Sequence, residues 1–378
     1  MKLGIENIKE NLHLLKGKRV GLITNPTGID RNFTSTIDVL KENCDLVCLF
    51  SPEHGVRGNY QAGVRFEAYV DEESGILVHS LYTKDKRPTK EMLDSIDVLC
   101  IDIQDGGSRF YTYIYTMAYS MMACAEHDKE FVVFDRPNPI NAVDFEGNIL
   151  DLEYRSFVGY YSILQRHGMT IGELAKMFNE EFGIGCNLNI IKMVDYDRTK
   201  FYDELELPWV LPSPNYPTIN TGIVYNCTCI FEGTNLSEGR GTTIPFEVVG
   251  APYINPTKLA SKLNSLDLPG VYFRGMFFNP TFSKHAGVMC GGVQLHILNR
   301  KEFKPVHTGW AMLDVIRKMY PNDYQTLKPY KEGGKCMLEF NTGCNYIIED
   351  LYTLEEQFKI LEQDTKKFEL TRSKYLLY

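Results

Sequence analysis

The chain of 378 residues contains no apolar run near the roughly 20 residues that a helix needs to cross a bilayer, which excludes a helical membrane span. Its opening, Met1-Lys2-Leu3-Gly4-Ile5-Glu6-Asn7, lacks the apolar core of an export signal. Positive charge is in deficit: 40 Lys and Arg against 49 Asp and Glu leave a net charge of −9, so the basic excess that non-specific nucleic-acid binding requires is missing. No cysteine pair has zinc-ribbon spacing. Cys48 and Cys100 fall in expected strands, Cys124 in an expected helix, and Cys227 and Cys229 on one face of an expected strand. Such thiols behave as small buried hydrophobes, and with no export signal they point to a reducing cytoplasm.

Several chemical signatures are absent too. The first expected strand ends in Thr24-Asn25-Pro26-Thr27-Gly28, not in the glycine triad of a dinucleotide site. Gly239-Arg240-Gly241 comes too late and lacks a third glycine, and there is no P-loop and no Gly-x-Ser-x-Gly elbow. Glu53 and His54 are adjacent and cannot share a helix face, and no spacing unites His79, His285 and His296. Neither a metal nor a cofactor is therefore expected.

What is present is an alternation of short apolar runs and helical patterns. Residues 19–24, 45–50, 77–81, 98–103 and 131–134 read as strands, with helices near 35–42 and 113–127. Near-continuous apolar strands separated by helices predict a parallel sheet covered on both faces. Polar, turn-rich segments follow the strand ends, which is where ligands of such sheets bind. Thr170-x-x-Glu173 predicts a capped helix to about residue 182, followed by a strand at 187–193. The proline-rich stretch 207–217 reads as a hinge. The second half is expected to be α+β, with helices near 256–266, 309–319 and 353–367 and strands near 271–278 and 291–298. Residues 224–231 read as one more strand, leading into loop 232–242, which carries Glu232, Asn235, Glu238, Arg240 and three glycines. Its glycines are expected to permit positive backbone angles and the close approach of a ligand to the main chain.

Carboxylates dominate the candidate chemistry. Glu53, Asp102, Asp105 and Asp135 follow expected strand ends, and Glu232 and Glu238 occupy the later loop. Glycosidic hydrolysis uses one carboxylic acid on the leaving oxygen and usually a second carboxylate on water or the anomeric carbon. Asp102 and Asp135 can equally be structural partners of arginines or turns. Arg109-Phe110-Tyr111-Thr112-Tyr113 supplies a guanidinium and aromatic faces suited to sugars, although Arg109 can also pair with Asp105.

Taken together, these segments resemble the bacterial exo-β-N-acetylmuramidases of the NamZ type. The matching stretches are Gly21-Leu-Ile-Thr-Asn-Pro-Thr-Gly28, Ser51-Pro-Glu-His-Gly55, Asp102-Ile-Gln-Asp-Gly-Gly-Ser-Arg-Phe-Tyr-Thr-Tyr113 and Asp135-Arg-Pro-Asn-Pro139. They continue through Arg166-His-Gly-Met-Thr-Ile-Gly-Glu-Leu174, Pro212-Ser-Pro-Asn-Tyr-Pro-Thr218, loop 232–242, Pro245-Phe-Glu247 and Gly291-Gly-Val-Gln-Leu-His296. The resemblance implies an α/β fold with a Rossmann-like N-terminal domain, residues 1–205, and a smaller α+β C-terminal domain, residues 206–378, enclosing a cleft. It implies release of N-acetylmuramic acid from the non-reducing ends of peptidoglycan fragments, with a small muropeptide as partner, and the lack of an export signal suggests salvage of imported fragments. Glu53 corresponds to the glutamate of the family's Pro-Glu-His-Gly motif, and Glu232 and Glu238 are candidates for the second group. Candidate substrate-binding residues are Asn25, His54, Arg57, Asp102, Gln104, Asp105, Arg109, Tyr111, Asn235 and Arg240. Among these, Arg57, Arg109 or Arg240 would meet the lactyl carboxylate of muramic acid. A silent muropeptide-binding protein and a metal-dependent cell-wall amide hydrolase are the competing readings.

Overall fold

The computed structural model describes residues 1–53, 55–58, 68–81 and 85–378. The first half builds a seven-stranded sheet from β1 (Arg19–Thr24), β2 (Asp45–Ser51), β3 (Tyr69–Val70), β4 (Leu77–Ser80), β5 (Val98–Asp102), β6 (Glu130–Phe134) and β7 (Asn187–Ile191). Their spatial order is β3-β4-β2-β1-β5-β6-β7, and all neighbours are parallel except the antiparallel edge pair β3–β4. Leaving out the short β3, the parallel strands follow the dinucleotide-fold order 3-2-1-4-5-6, so the direction of winding reverses between β1 and β5. The crevice expected at that reversal lies between the turns after β1 and β5, at Asn25 and Gln104. The dinucleotide-type sheet thus arises here without its glycine fingerprint.

The central strands are buried on both faces, which is why β1 and β5 read as unbroken apolar runs. A 3₁₀ segment, Ile5–Leu14, and α1 (Thr36–Asn43) pack on one face. The short α2 (Lys90–Asp94), α3 (Tyr113–Glu126) and α4 (Ile171–Glu180) follow. Helix α3 lies under the other face and is buried on almost every side. Thr170 and Glu173 form the expected capping box of α4.

The second half begins with α5 (Ile219–Thr228), which continues as a 3₁₀ turn, Cys229–Gly233. Residues 224–231 are therefore helical and not the strand expected, so Cys227 and Cys229 do not share a strand face. The helix is buried all round from Thr221 to Thr228, so it carries neither alternation nor an amphipathic stripe, and periodicity cannot distinguish it from a buried strand. Strand β8 (Val248–Ala251), α6 (Pro256–Asn264), β9 (Val271–Phe278) and β10 (Cys290–Ile297) come next, then α7 (Pro305–Met319), α8 (Met337–Thr342) and α9 (Leu354–Arg372). Helix α5 packs closely on α7: a side chain on Gly309 would strike the Cys227 carbonyl. The second sheet is antiparallel, in the order β8-β10-β9. One apolar core runs from α3 through α5 and α7 to this sheet. The chain then returns to the first sheet, where the Tyr378 hydroxyl donates to Asp135 at 2.7 Å.

Candidate active site

Strand β2 ends at Ser51, and Glu53, half-buried, occupies the turn that follows it. It lines a pocket of about 190 Å³ with Phe110, Tyr111, Thr112 and Tyr113 from the start of α3, Val158, Ser213 and Asn215 from the proline-rich stretch, and Tyr225, Glu232 and Arg240 from the second half. The pocket thus joins the carboxyl edge of the first sheet to the wall built by α5 and its 3₁₀ turn. His54, next to Glu53, lies outside the described residues.

An aromatic layer gives the pocket its shape. Tyr111 meets Tyr113, Tyr216 and Tyr225 edge-on, with ring centroids 5.1, 5.5 and 5.9 Å away. The Tyr113 hydroxyl donates to the Pro212 carbonyl at 2.6 Å, and that of Tyr216 donates to the Gly106 carbonyl at 3.0 Å. These bonds fix stretch 207–217 across the pocket mouth. Such faces suit the C–H surface of a sugar.

The opposite wall is a four-charge network. Arg240 Nη1 contacts Glu232 Oε1 and, at 2.9 Å, Glu238 Oε1. Lys284 Nζ reaches Glu238 Oε2 at 2.8 Å and donates to the carbonyls of Phe231 and Thr234 at 2.7 and 3.0 Å. Glu238 is 2% exposed and Glu232 22%. Burial raises the pKa of Glu232, and the Glu238 charge adds to that, against the pull of Arg240. For Glu238 burial is outweighed by Lys284 and Arg240, and the pKa is lowered. The two glutamates therefore divide: Glu232 faces the pocket with a proton-holding tendency, and Glu238 is an ionised anchor behind it. The Arg240 guanidinium also stacks 4.8 Å from the Phe246 ring centroid.

Arg57 and Asn25 line an adjoining cavity with Pro26, Gly58 and residues 210–214. Arg57 is held by Asp71, through Nε at 3.0 Å and Nη2 at 2.8 Å, and that guanidinium keeps Asp71 down at about 2.

Other sequence candidates are engaged elsewhere. Arg109 is fully buried and donates to the backbone carbonyls of Asn148 and Ile163 at 2.7 and 2.9 Å, and of Asn341 and Thr342 at 3.3 and 2.9 Å. It does not pair with Asp105 and does not line the pocket; burial draws its pKa down to about 10. Gly343 closes α8 in the left-handed conformation, and a side chain there would meet Arg109 Nη2 at 2.9 Å. Asp102 is buried against Arg136, forked between Nε and Nη2, with the Thr36 hydroxyl on Oδ2. Asp105 accepts from the Gly107 N–H at 2.8 Å and meets His167 Nε2 at 3.2 Å. Gln104 donates to the carbonyls of Asp105 and Pro137 at 3.0 and 2.8 Å. Asp135 accepts from the N–H groups of Arg136 and Gly172 and from the hydroxyls of Thr170 and Tyr378. Asn235 braces the second half, bonding Asp323, Gln325 and Tyr253.

Two glycines of loop 232–242 take the positive backbone angles expected of them. Gly239 and Gly241 have φ of 83° and 81°, and a side chain on Gly241 would strike the Phe282 carbonyl at 2.5 Å. They permit close packing of main chain on main chain. Lys284 and Tyr225 contribute to the site without a signal in the sequence that singles them out, and Ser213 and Asn215, though within a stretch that carries the resemblance, are not among the candidates. Lys284 shares no local motif with Glu238, the serine and asparagine sit in a stretch that reads as a hinge, and Tyr225 falls in the helix expected as a strand.

Among the described residues no group of three His, Cys, Asp or Glu side chains is placed to hold a metal ion. No helix among them is long and apolar enough to cross a membrane.

Comparison with known proteins adds to this geometry. The family model for the N-terminal part of exo-β-N-acetylmuramidase NamZ matches residues 20–220, and the model for its C-terminal part matches residues 223–378. The peptidoglycan β-N-acetylmuramidase NamZ of Bacillus subtilis (strain 168) is 50% identical over 366 residues, covering 96% of this chain and 88% of that protein. A crystal structure of a DUF1343 family protein from Bacteroides fragilis NCTC 9343 superposes with a TM-score of 0.90 at 38% identity, covering 100% of this chain and 98% of that one. A second DUF1343 structure from the same organism gives a TM-score of 0.80 at 31% identity, with the same coverage.

Proposed function

Because this chain belongs to the exo-β-N-acetylmuramidase NamZ family, we propose that it is a glycoside hydrolase releasing terminal N-acetylmuramic acid from the non-reducing ends of peptidoglycan fragments. The observation that carries the site assignment is one pocket holding Glu53 from the first half and Glu232 and Arg240 from the second, floored by tyrosines. Glu53 and Glu232 are the catalytic carboxylates, and Glu238 supports them from behind. Tyr111 and its aromatic neighbours pack on the sugar ring, and Arg240 takes the lactyl carboxylate. Asn25 and Arg57, in the adjoining cavity, are placed for the next unit of the fragment.

We take residues 1–205 and 206–378 as the two units that form the cleft; the two separate sheets and the proline-rich stretch between them support that division. A reducing, cytoplasmic setting is supported by ten cysteines that all stand as thiols. The test is chromophore release from an aryl β-N-acetylmuramide. Glu53→Gln is expected to lower turnover about 10²–10⁴-fold, the range for loss of a catalytic acid or base. Unchanged turnover in that variant removes Glu53 from the reaction.

A further inference from the structure

Two cations serve the wall of the pocket, and they are held very differently. Lys284 is fixed by three acceptors: Glu238 Oε2 and the carbonyls of Phe231 and Thr234, which flank Glu232 in the chain. Arg240 is 28% exposed, lines the pocket, and makes both of its ion pairs through Nη1. When Arg240 turns towards an anion in the pocket, Glu238 keeps Lys284. Glu232 then loses the stronger of the two cations acting on it and is left beside the Glu238–Lys284 pair, the uncharged Tyr225 and Cys229 earlier in the same helical stretch, and Glu53 across the pocket.

We propose that the substrate's own carboxylate arms the acid: a sugar bearing a carboxylate draws Arg240 off Glu232, and Glu232 takes up from bulk water a proton that it gives to the glycosidic oxygen. This rests on the muramidase reading, because only a carboxylate-bearing sugar supplies the anion. In the step, the Glu232 O–H bond breaks as the leaving oxygen takes the proton and the electron pair of its bond to the anomeric carbon. Water then gives its OH to that carbon and its remaining proton to the carboxylate pair, which restores Glu232 to its acid form. Lys284 is a positioning residue: it keeps Glu238 in place without Arg240, so that Arg240 is free to leave. The raised proton affinity of Glu232 and the lowered one of Glu238 agree with this division. Selectivity then resides in turnover as well as in binding, since a sugar without the carboxylate leaves Arg240 on Glu232, where its charge opposes protonation of the acid.

The experiment compares the intact protein with E232Q, E53Q and K284M on aryl β-N-acetylmuramides of graded leaving-group ability, and on the matching N-acetylglucosaminides. E232Q is expected to lose about 100-fold or more on the poorest leaving group and less than about 10-fold on the best, which needs no proton. E53Q is expected to stay low on both. The ratio between leaving groups is read on one preparation, so an unfolded fraction cancels. K284M is expected to raise KM for the muramide and to narrow the difference in kcat between the two sugars, because Glu238 then retains Arg240. An equal loss across leaving groups in E232Q, or native kcat equal for the two sugars, overturns the proposal. Native protein that releases chromophore from neither sugar overturns the muramidase reading itself.

Discussion

Arg109 and Arg240 occupy similar places in the sequence, each in a glycine-flanked polar run, and the fold sends them to opposite circumstances. Arg109 lies beneath the pocket, with backbone carbonyls from three separate stretches of chain as its acceptors. Arg240 stands on the pocket wall and faces two carboxylates. The same contrast separates the buried floor (Asp102 with Arg136, Asp105 with His167, Asp135 with Thr170 and Tyr378) from the Glu232–Lys284 wall. In the floor each charge is met by fixed partners and serves the fold. In the wall the charges are shared and partly open to the pocket, which leaves them able to respond to a ligand. A buried charge with fixed partners is a structural device, and one with a partner it can exchange is a chemical one.

The largest expected effect tests the floor. Arg109→Met strips several carbonyls of their charged donor and is expected to cost about 3–5 kcal/mol of stability by urea unfolding, with folded molecules keeping activity within about 3-fold. A stable variant that has lost sugar binding instead would collapse the distinction between the two arginines. Arg240→Met is the mirror experiment. It is expected to raise KM for an aryl muramide by about 30–100-fold, equivalent to roughly 2–3 kcal/mol, with little change in unfolding midpoint. A midpoint that falls as far as that of the Arg109 variant would place Arg240 with the floor.

The most gradual effect, spread over about three pH units, is a pH dependence confined to the floor. Burial raises the Asp135 carboxyl to about 7, with the Glu173 charge adding to it. The folded chain therefore holds a proton that the unfolded chain has released above its ordinary value near 4. Stability from this group is fully present below about pH 4, falls as pH rises, and is lost by about pH 7, with a slope no steeper than about 1.4 kcal/mol per pH unit. Thermal midpoints of the native protein and Asp135→Asn across that range are expected to converge in acid and diverge towards neutrality. Parallel curves would show that Asp135 is already ionised throughout.

Much of the first sheet was legible because its strands are buried on both faces and its helices carry caps. Arg19–Thr24 and Asp45–Ser51 are apolar nearly end to end, and Thr170 with Glu173 marks the start of α4 within a residue. Glu53 was legible as a carboxylate just past a buried strand. Helix α5 was not, because a helix hydrophobic on all sides has no period to read. The aromatic face around Tyr111 was visible as composition, but its contact with Tyr216 and Tyr225 joins residues far apart in the chain.

Local chemistry in the chain was enough to determine the alternating α/β layers, the turns at the strand ends and the set of charged residues available to a site. These depend on burial periodicity and on caps spanning a few residues. The partner of each charge was decided only by the tertiary structure. Whether Glu232 or Glu238 faces the pocket, and whether Arg109 or Arg240 can meet a ligand, depends on which backbone groups and counter-charges surround each side chain. Those neighbours come from distant segments, Lys284 for Glu238 and Asn341 for Arg109, and no local pattern carries them.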